Sequence, residues 1–306
     1  MITRLSVIII PVYNGEEFIA TTLNSCLGQT LLAPIIVVDD QSSDKTINIV
    51  RDYQHKFPGR IKLSINKRRY GRVGCWNRCL EIFEALPYKY LKYVFAGDEI
   101  LPDCIKEFEK AFSIDKNIGA VASAYEFVRP DGETSYSWHK EFQDRVITSQ
   151  KATRFNLEQD GLLGAMVCHA YNKKFIKGMK FTEYLITKLD FDTILLSKSK
   201  AYYIGKVLSR FNLDSHRTFA KSISTWCNLE FSYVEARMLD QLKDMFTPIE
   251  YTQLKKQIVM NSIKNQYRFF GSKFLLDIII ATFLEIVQRF SVTYPRFWLK
   301  HVFKIG

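Results

Sequence analysis

Short apolar runs that end in polar clusters organise the first hundred residues. Leu5 to Pro11 (LSVIIIP) is rich in β-branched side chains and leads into Val12-Tyr13-Asn14-Gly15-Glu16-Glu17. Ile35-Ile36-Val37-Val38 ends in Asp39-Asp40-Gln41-Ser42-Ser43-Asp44. Continuous apolar runs of this length read as parallel strands buried on both faces. Further strands are predicted over Ile61–Ile65 and Tyr90–Phe95, the second delivering Ala96-Gly97-Asp98-Glu99. Between them the pattern predicts helices over Glu17–Leu27, Lys45–His55, Val73–Leu86 and from Pro102 to about Phe112. Ser43 or Asp44 suits the cap of the second helix, and Pro102 the opening of the fourth. Strand and helix in alternation predict an α/β fold, a mostly parallel sheet with helices on both faces.

The pattern then changes. Ala120–Val128 reads as a strand and Pro130-Asp131-Gly132 as a turn. Residues 134–160 are polar and aromatic without a clear period and read as a loop. Gly161 to Phe175 resumes the fold, and from about Ser222 the chain turns helical, interrupted at Pro248. The expected organisation is a catalytic domain over 1–220 and a helical extension over 221–306.

Composition narrows this only slightly. The chain has 306 residues, a hydrophobic share of 47% and a net charge of +11. Nine Lys/Arg against Asp277 and Glu285 fall within residues 255–306, interleaved with Phe, Ile, Leu and Trp. A basic, aromatic tail suits an anionic membrane surface better than nucleic acid. The most apolar stretch, Phe274–Val287, holds two acids and is shorter than the ~20 apolar residues of a membrane span. The six cysteines form no C-x-x-C pair, and no secretory signal precedes the first strand, so reduced thiols in a cytosolic enzyme are expected.

The strand ends carry the chemistry. In open α/β sheets ligands bind beyond the carboxyl ends of the strands. Tyr13 offers a ring for a base, and Asp39 and Asp40 offer acceptors for base N–H or ribose hydroxyl groups. Lys67, Arg68, Arg69 and Arg72, with Gly71 and Gly74, form a basic turn opening a helix, a cradle for a diphosphate. Asp98 is a candidate ligand for a divalent cation.

These segments resemble a family-2 glycosyltransferase of the GT-A (Rossmann-like) fold, of the bacterial cell-surface polysaccharide type. The resemblance rests on SVIIIPVYNGEEFI and VVDDQSSDKT, followed in order by Asn66 and Gly71, Trp76-Asn77-Arg78, Phe95–Glu99, Gly164–Phe175, Asp190-Phe191-Asp192 and His216. It implies a nucleotide diphosphate sugar donor, UDP- or dTDP-type, held by Pro11, Tyr13, Asn14, Asp39, Asp40, Asn66, Gly71, Arg78 and Gly97. It implies Mn²⁺ or Mg²⁺ at Asp98, with Glu99 and His216 as further ligands, although the strict Asp-x-Asp motif is absent. It implies Asp190 or Asp192 as the base for an acceptor hydroxyl on a glycan or polyprenyl-linked carrier, with inversion. The irregular stretch 134–160 would face that acceptor.

Other classes fit less well. A dinucleotide oxidoreductase needs G-x-G-x-x-G where Pro11–Gly15 stands. A processive synthase carries an Arg-Trp pair and membrane spans, and no such pair occurs. A nucleic-acid-binding protein would meet repulsion from the strand-end acids. A non-catalytic nucleotide-sugar binder stays open, because the metal motif is incomplete.

Overall fold

The computed structural model describes residues 4–158, 161–182, 187–216 and 226–270. The basic aromatic tail beyond residue 270 and the apolar stretch 274–287 lie outside them. Among the described residues, no helix is long and apolar enough to cross a membrane.

Ten strands form one sheet. In chain order they are β1 (Ser6–Val12), β2 (Ile35–Asp39), β3 (Ile61–Ile65), β4 (Tyr90–Tyr93), β5 (Glu99–Ile100), β6 (Ile118–Val128), β7 (Thr134–Ser137), β8 (Arg145–Ile147), β9 (His169–Asn172) and β10 (Lys200–Asn212). The main order is β3-β2-β1-β4-β9-β6-β10-β5, with β7 beside β6 and β8 beside β10. β1 to β4, β6 and β10 run one way, and β9, β5, β7 and β8 run against them.

The helices follow the prediction through the first hundred residues: α1 (Ile19–Leu27), α2 (Thr46–Lys56), α3 (Gly71–Ala85) and α4 (Cys104–Ile114). Beyond these come α5 (Ser149–Glu158), the single turn α6 (Lys173–Ile176), α7 (Thr187–Lys198), α8 (Trp226–Gln241) and α9 (Pro248–Phe270). Every residue of β1 and β2 is buried, as their unbroken apolar runs require. Val7, Ile9, Ile36 and Val38 face the core under α3 and α7. Ile8, Ile10, Ile35 and Val37 face the core under α1 and α4. Cys26, Cys75, Cys79, Cys104 and Cys168 are buried free thiols within these two layers. A third cluster joins Leu157 of α5 and Leu189 of α7 to Val234, Met238 and Leu239 of α8 and Leu254 and Ile258 of α9.

Within the expected loop, residues 134–158 carry regular structure. The stretch pairs as β7 and β8, closes with a short 3₁₀ turn at Lys140–Phe142, and continues into α5. Phe142, Ile147, Ala152 and Phe155 enter the main core, so spaced anchors hold it in place of a continuous period. One compact unit spans Met1–Ile258, and residues 259–306 form a second.

Candidate functional site

The carboxyl ends of β1, β2 and β4 converge, and the loops that follow are stitched to one another. Asn14, in left-handed backbone geometry (φ 49°), donates its N–H to Ser42 Oγ (2.9 Å) and accepts from Ser43 N–H (2.9 Å). Gly15 N–H donates to Thr46 Oγ1 at 2.8 Å. A methyl group on Gly15 would lie 2.7 Å from Val12 Cγ2, so the loop requires glycine there. Asp44 accepts from Glu16 N–H and Thr46 N–H, both at 3.0 Å. Asn14 therefore ties two loops together and does not line the cavity.

A cavity of about 240 Å³ opens at this edge. Pro11, Val12 and Tyr13 line it from the first strand end, Asp40 and Arg69 from the loops, and Gly71, Arg72, Cys75 and Trp76 from α3. Tyr13 is 39% exposed, and the Arg69 guanidinium lies 3.9 Å from its ring centroid. Arg72 lies over Trp76 at 5.1 Å. Two aromatic faces, each with a guanidinium, suit a planar base next to anionic groups.

Asp40 is buried and anchors the basic loop. Its Oδ1 accepts from Asn66 Nδ2 (2.8 Å) and Tyr70 N–H (2.9 Å), and its Oδ2 from Gly71 N–H (2.8 Å). Gly71 holds φ at +75° with open space beside it, so backbone geometry, not crowding, selects glycine. Asp39 is wholly buried and accepts from Ser42 N–H at 2.8 Å through Oδ1. Its Oδ2 and Asn66 Oδ1 are buried acceptors without a donor. Arg78 is not brought to the cavity. It is exposed on α3 and pairs with Glu81 at 2.9 Å.

The turn after β4 forms a second part of the site. Thr22 of α1, fully buried, donates to the carbonyls of Asp98 (2.8 Å) and Phe95 (3.1 Å) and accepts from Gly97 N–H (2.8 Å). Asp98 Oδ1 meets His216 Nε2 and Asn212 N–H, each at 3.1 Å, while Oδ2 is buried without a partner. Burial pushes the Asp98 carboxyl above the usual range, partly opposed by His216. His216 stacks on Phe211 with centroids 4.5 Å apart. Gly97 has φ +102°, and a Cβ there would meet Ser215 Cβ at 2.2 Å. Glu99 is not brought to this pair: it enters β5 opposite Arg210. Among the described residues, no group of three or more His, Cys, Asp or Glu could hold a metal alone. One orphaned carboxylate oxygen beside an imidazole fits a cation whose other ligands come from substrate phosphates.

The acids of α7 differ sharply. Asp192 is buried with both oxygens taken, Oδ1 by the Tyr171 hydroxyl (2.7 Å) and Oδ2 by the Lys188 ammonium. Burial raises its carboxyl pKa, and Lys188 opposes the rise. The Tyr171 hydroxyl also meets His169 Nε2 at 2.7 Å, and His169 Nδ1 faces the Leu163 carbonyl at 2.9 Å. Asp190 Oδ1 accepts from Arg237 Nη2 of α8 at 2.6 Å, and Oδ2 from Thr182 Oγ1 at 3.2 Å. An aromatic path ties this end of α7 to the cavity: Trp76 packs on Phe181 (5.4 Å), and Phe181 on Phe191 (4.2 Å). The Asn77 side chain fixes the Phe181 backbone, accepting from its N–H at 2.8 Å and donating to its carbonyl at 3.0 Å.

Sequence reasoning missed Thr22, Asn77's pinning role and Arg237. Each acts across more than 45 residues of chain separation, where no local pattern reports it.

Fold and site define the α/β class that takes its ligand at the strand ends. The chain belongs to glycosyl transferase family 2, whose model matches residues 7–179. It is 22% identical to chondroitin synthase of Pasteurella multocida strain Pm70 over 306 residues, covering 94% of this chain and 29% of that protein. The chain thus spans less than a third of that relative. S. aureus TarS 1–349 in complex with UDP shares the fold with TM-score 0.63 at 17% identity, over 88% of this chain and 73% of that one. The mannosyltransferase PcManGT of Pyrobaculum calidifontis, in complex with GDP-Man and Mn²⁺, has TM-score 0.62 at 14% identity, over 100% and 89%. The fold is that of GT-A glycosyltransferases.

Proposed function

We propose that this chain transfers one sugar, with inversion, from a UDP- or dTDP-type donor to a hydroxyl of a glycan or polyprenyl-linked acceptor in cell-surface polysaccharide synthesis. One observation carries the reading. Three buried acceptor oxygens without donors, on Asp39, Asn66 and Asp98, lie along the sheet edge that bears the aromatic cavity. A buried acceptor costs about 1–3 kcal/mol while unmet, and a ligand's donors and a cation would relieve that cost here. The base N–H and ribose hydroxyls would supply the first two.

Tyr13 and Trp76 would hold the base, and Arg69 and Arg72 the diphosphate. Asp98 and His216 would hold Mn²⁺ or Mg²⁺, which neutralises charge on the leaving diphosphate when bound. Asp190 would take the proton from the acceptor hydroxyl as that oxygen attacks the anomeric carbon and the sugar–phosphate bond breaks. Asp190 fits this role better than Asp192: its Oδ2 holds a long 3.2 Å bond from Thr182, whereas the Asp192 oxygens are held by Tyr171 at 2.7 Å and by the Lys188 ammonium. Work at the cytosolic face, with the basic tail on anionic lipid, suits a lipid-carried acceptor.

Thermal-shift screening of the full chain against UDP- and dTDP-sugars, with and without Mn²⁺, tests the proposal, followed by nucleotide-release assays over candidate acceptors. A ligand at a hundredfold excess over Kd should add about 2.7 kcal/mol of stability. Binding without turnover over the acceptor panel would favour the non-catalytic reading. No stabilisation by any nucleotide sugar would remove the proposal.

A further inference from the structure

Asp190 lies beyond the segment matched by the family model, and so does the cation it meets. We infer that Arg237 is a positioning residue for the acceptor base, fixing the Asp190 carboxylate so that Oδ2 faces the acceptor hydroxyl. The inference rests on the reading of Asp190 as the base.

The geometry divides the two oxygens. Arg237 Nη2 reaches Oδ1 at 2.6 Å, a short charge-assisted bond. Among the described residues, Oδ2 receives the Thr182 hydroxyl at 3.2 Å. A carboxylate oxygen has room for more than one donor, so an acceptor O–H can join Thr182 at Oδ2 without displacing the guanidinium. The planar guanidinium orients what it binds better than an ammonium would. Asp192, paired with Lys188, differs in that its second oxygen takes the shorter Tyr171 bond of 2.7 Å.

The arginine is itself held in place. Val234, Met238 and Leu239, on either side of Arg237 in α8, are buried in one cluster with Leu189, the neighbour of Asp190. That apolar contact sets the register of α8 against α7, and the ion pair forms at its edge. The side chain of Arg237 keeps 28% exposure and that of Asp190 keeps 3%. The pair therefore sits at the boundary between core and solvent, with Asp190 on its buried side.

The test uses the full chain with the donor and acceptor that turn over in the screen above. Arg237→Ala should lower kcat about 10²-fold, the cost of misplacing a reacting group by about 1 Å. UDP affinity by calorimetry should stay within twofold, because the donor site is untouched. Arg237→Lys should recover part of the loss, and guanidinium ion added to Arg237→Ala should recover activity at concentrations that leave its melting curve unchanged. Wild-type kcat in folded Arg237→Ala overturns the inference. Should Arg237→Ala fail to fold, Arg237→Lys decides it: reduced kcat at unchanged UDP affinity supports the inference, and wild-type kcat overturns it. Asp190→Asn separates the two readings. An inactive Asp190→Asn beside a fully active Arg237 variant refutes positioning alone, while an active Asp190→Asn refutes the base assignment beneath it.

Discussion

Asp40→Ala probes how the strand ends build the nucleotide site. The wild-type carboxylate is buried and accepts three hydrogen bonds of 2.8–2.9 Å from Asn66, Tyr70 and Gly71. Removing it strands an amide and two backbone N–H groups at the start of α3. Hydrogen bonds to a charged group contribute about 1.5–3 kcal/mol each, but Tyr70 and Gly71 can turn to water, so the three do not sum. A net loss of about 1.5–3 kcal/mol in UDP binding is expected, roughly a 10- to 10²-fold rise in Kd. The loss passes through Arg69, which the freed loop no longer holds over Tyr13. Calorimetry with UDP measures the affinity, and amide hydrogen exchange over residues 66–71 measures the loop. Affinity within twofold of wild type would show that Asp40 does not support the nucleotide site. Lost affinity with unchanged exchange would reassign Asp40 from loop anchor to direct ligand contact.

Other substitutions test other parts. Gly97→Ala puts a methyl 2.2 Å from Ser215 Cβ at φ +102°, so melting temperature should fall by the equivalent of about 1–3 kcal/mol and Mn²⁺-supported UDP binding should weaken; an unchanged melting curve would show that the turn yields freely. Asp98→Asn should abolish any enhancement of UDP binding by Mn²⁺ while leaving the metal-free affinity near wild type, and a retained Mn²⁺ effect would place the cation elsewhere. His169 is buried, and its pKa is held well below the usual value by burial first and then by Lys188 and Lys92. The unfolded chain therefore takes up this proton near pH 6.5 while the folded chain does not, so stability falls as pH drops below that point, by up to about 1.4 kcal/mol per unit. His169→Gln should flatten the fall in melting temperature between pH 7 and 5.5, and parallel curves for variant and wild type would exclude His169 as its source.

The parallel half of the fold was legible because both faces of its strands are buried. β2 and β3 match their predicted bounds, and β1 and β4 differ at their ends by one or two residues. The strand ends followed, since Tyr13, Asp39, Asp40, Asn66 and Asp98 sit next to those runs. The second half was less legible. β10 alternates buried and half-exposed residues along 13 positions and is broken by register shifts, so it carries no clean apolar run. β7 and α5 are polar outside a few anchors. In the site, the family resemblance placed Arg78 at the donor, but helix geometry turns it to Glu81, and Arg72 and Trp76 line the cavity instead. Asp190 and Asp192 look alike in L-D-F-D; Arg237 and Lys188 distinguish them, and only folding brings Arg237 to Asp190.

A crystal structure of the chain with UDP and Mn²⁺ would show whether the strand ends hold the nucleotide. The uracil is expected against Tyr13 and Trp76, a donor of the nucleoside on Asp39 Oδ2 or Asn66 Oδ1, and the metal between Asp98 and the diphosphate. UDP bound away from the β1 and β2 ends, or bound there with all three orphaned oxygens still without partners, would contradict that placement.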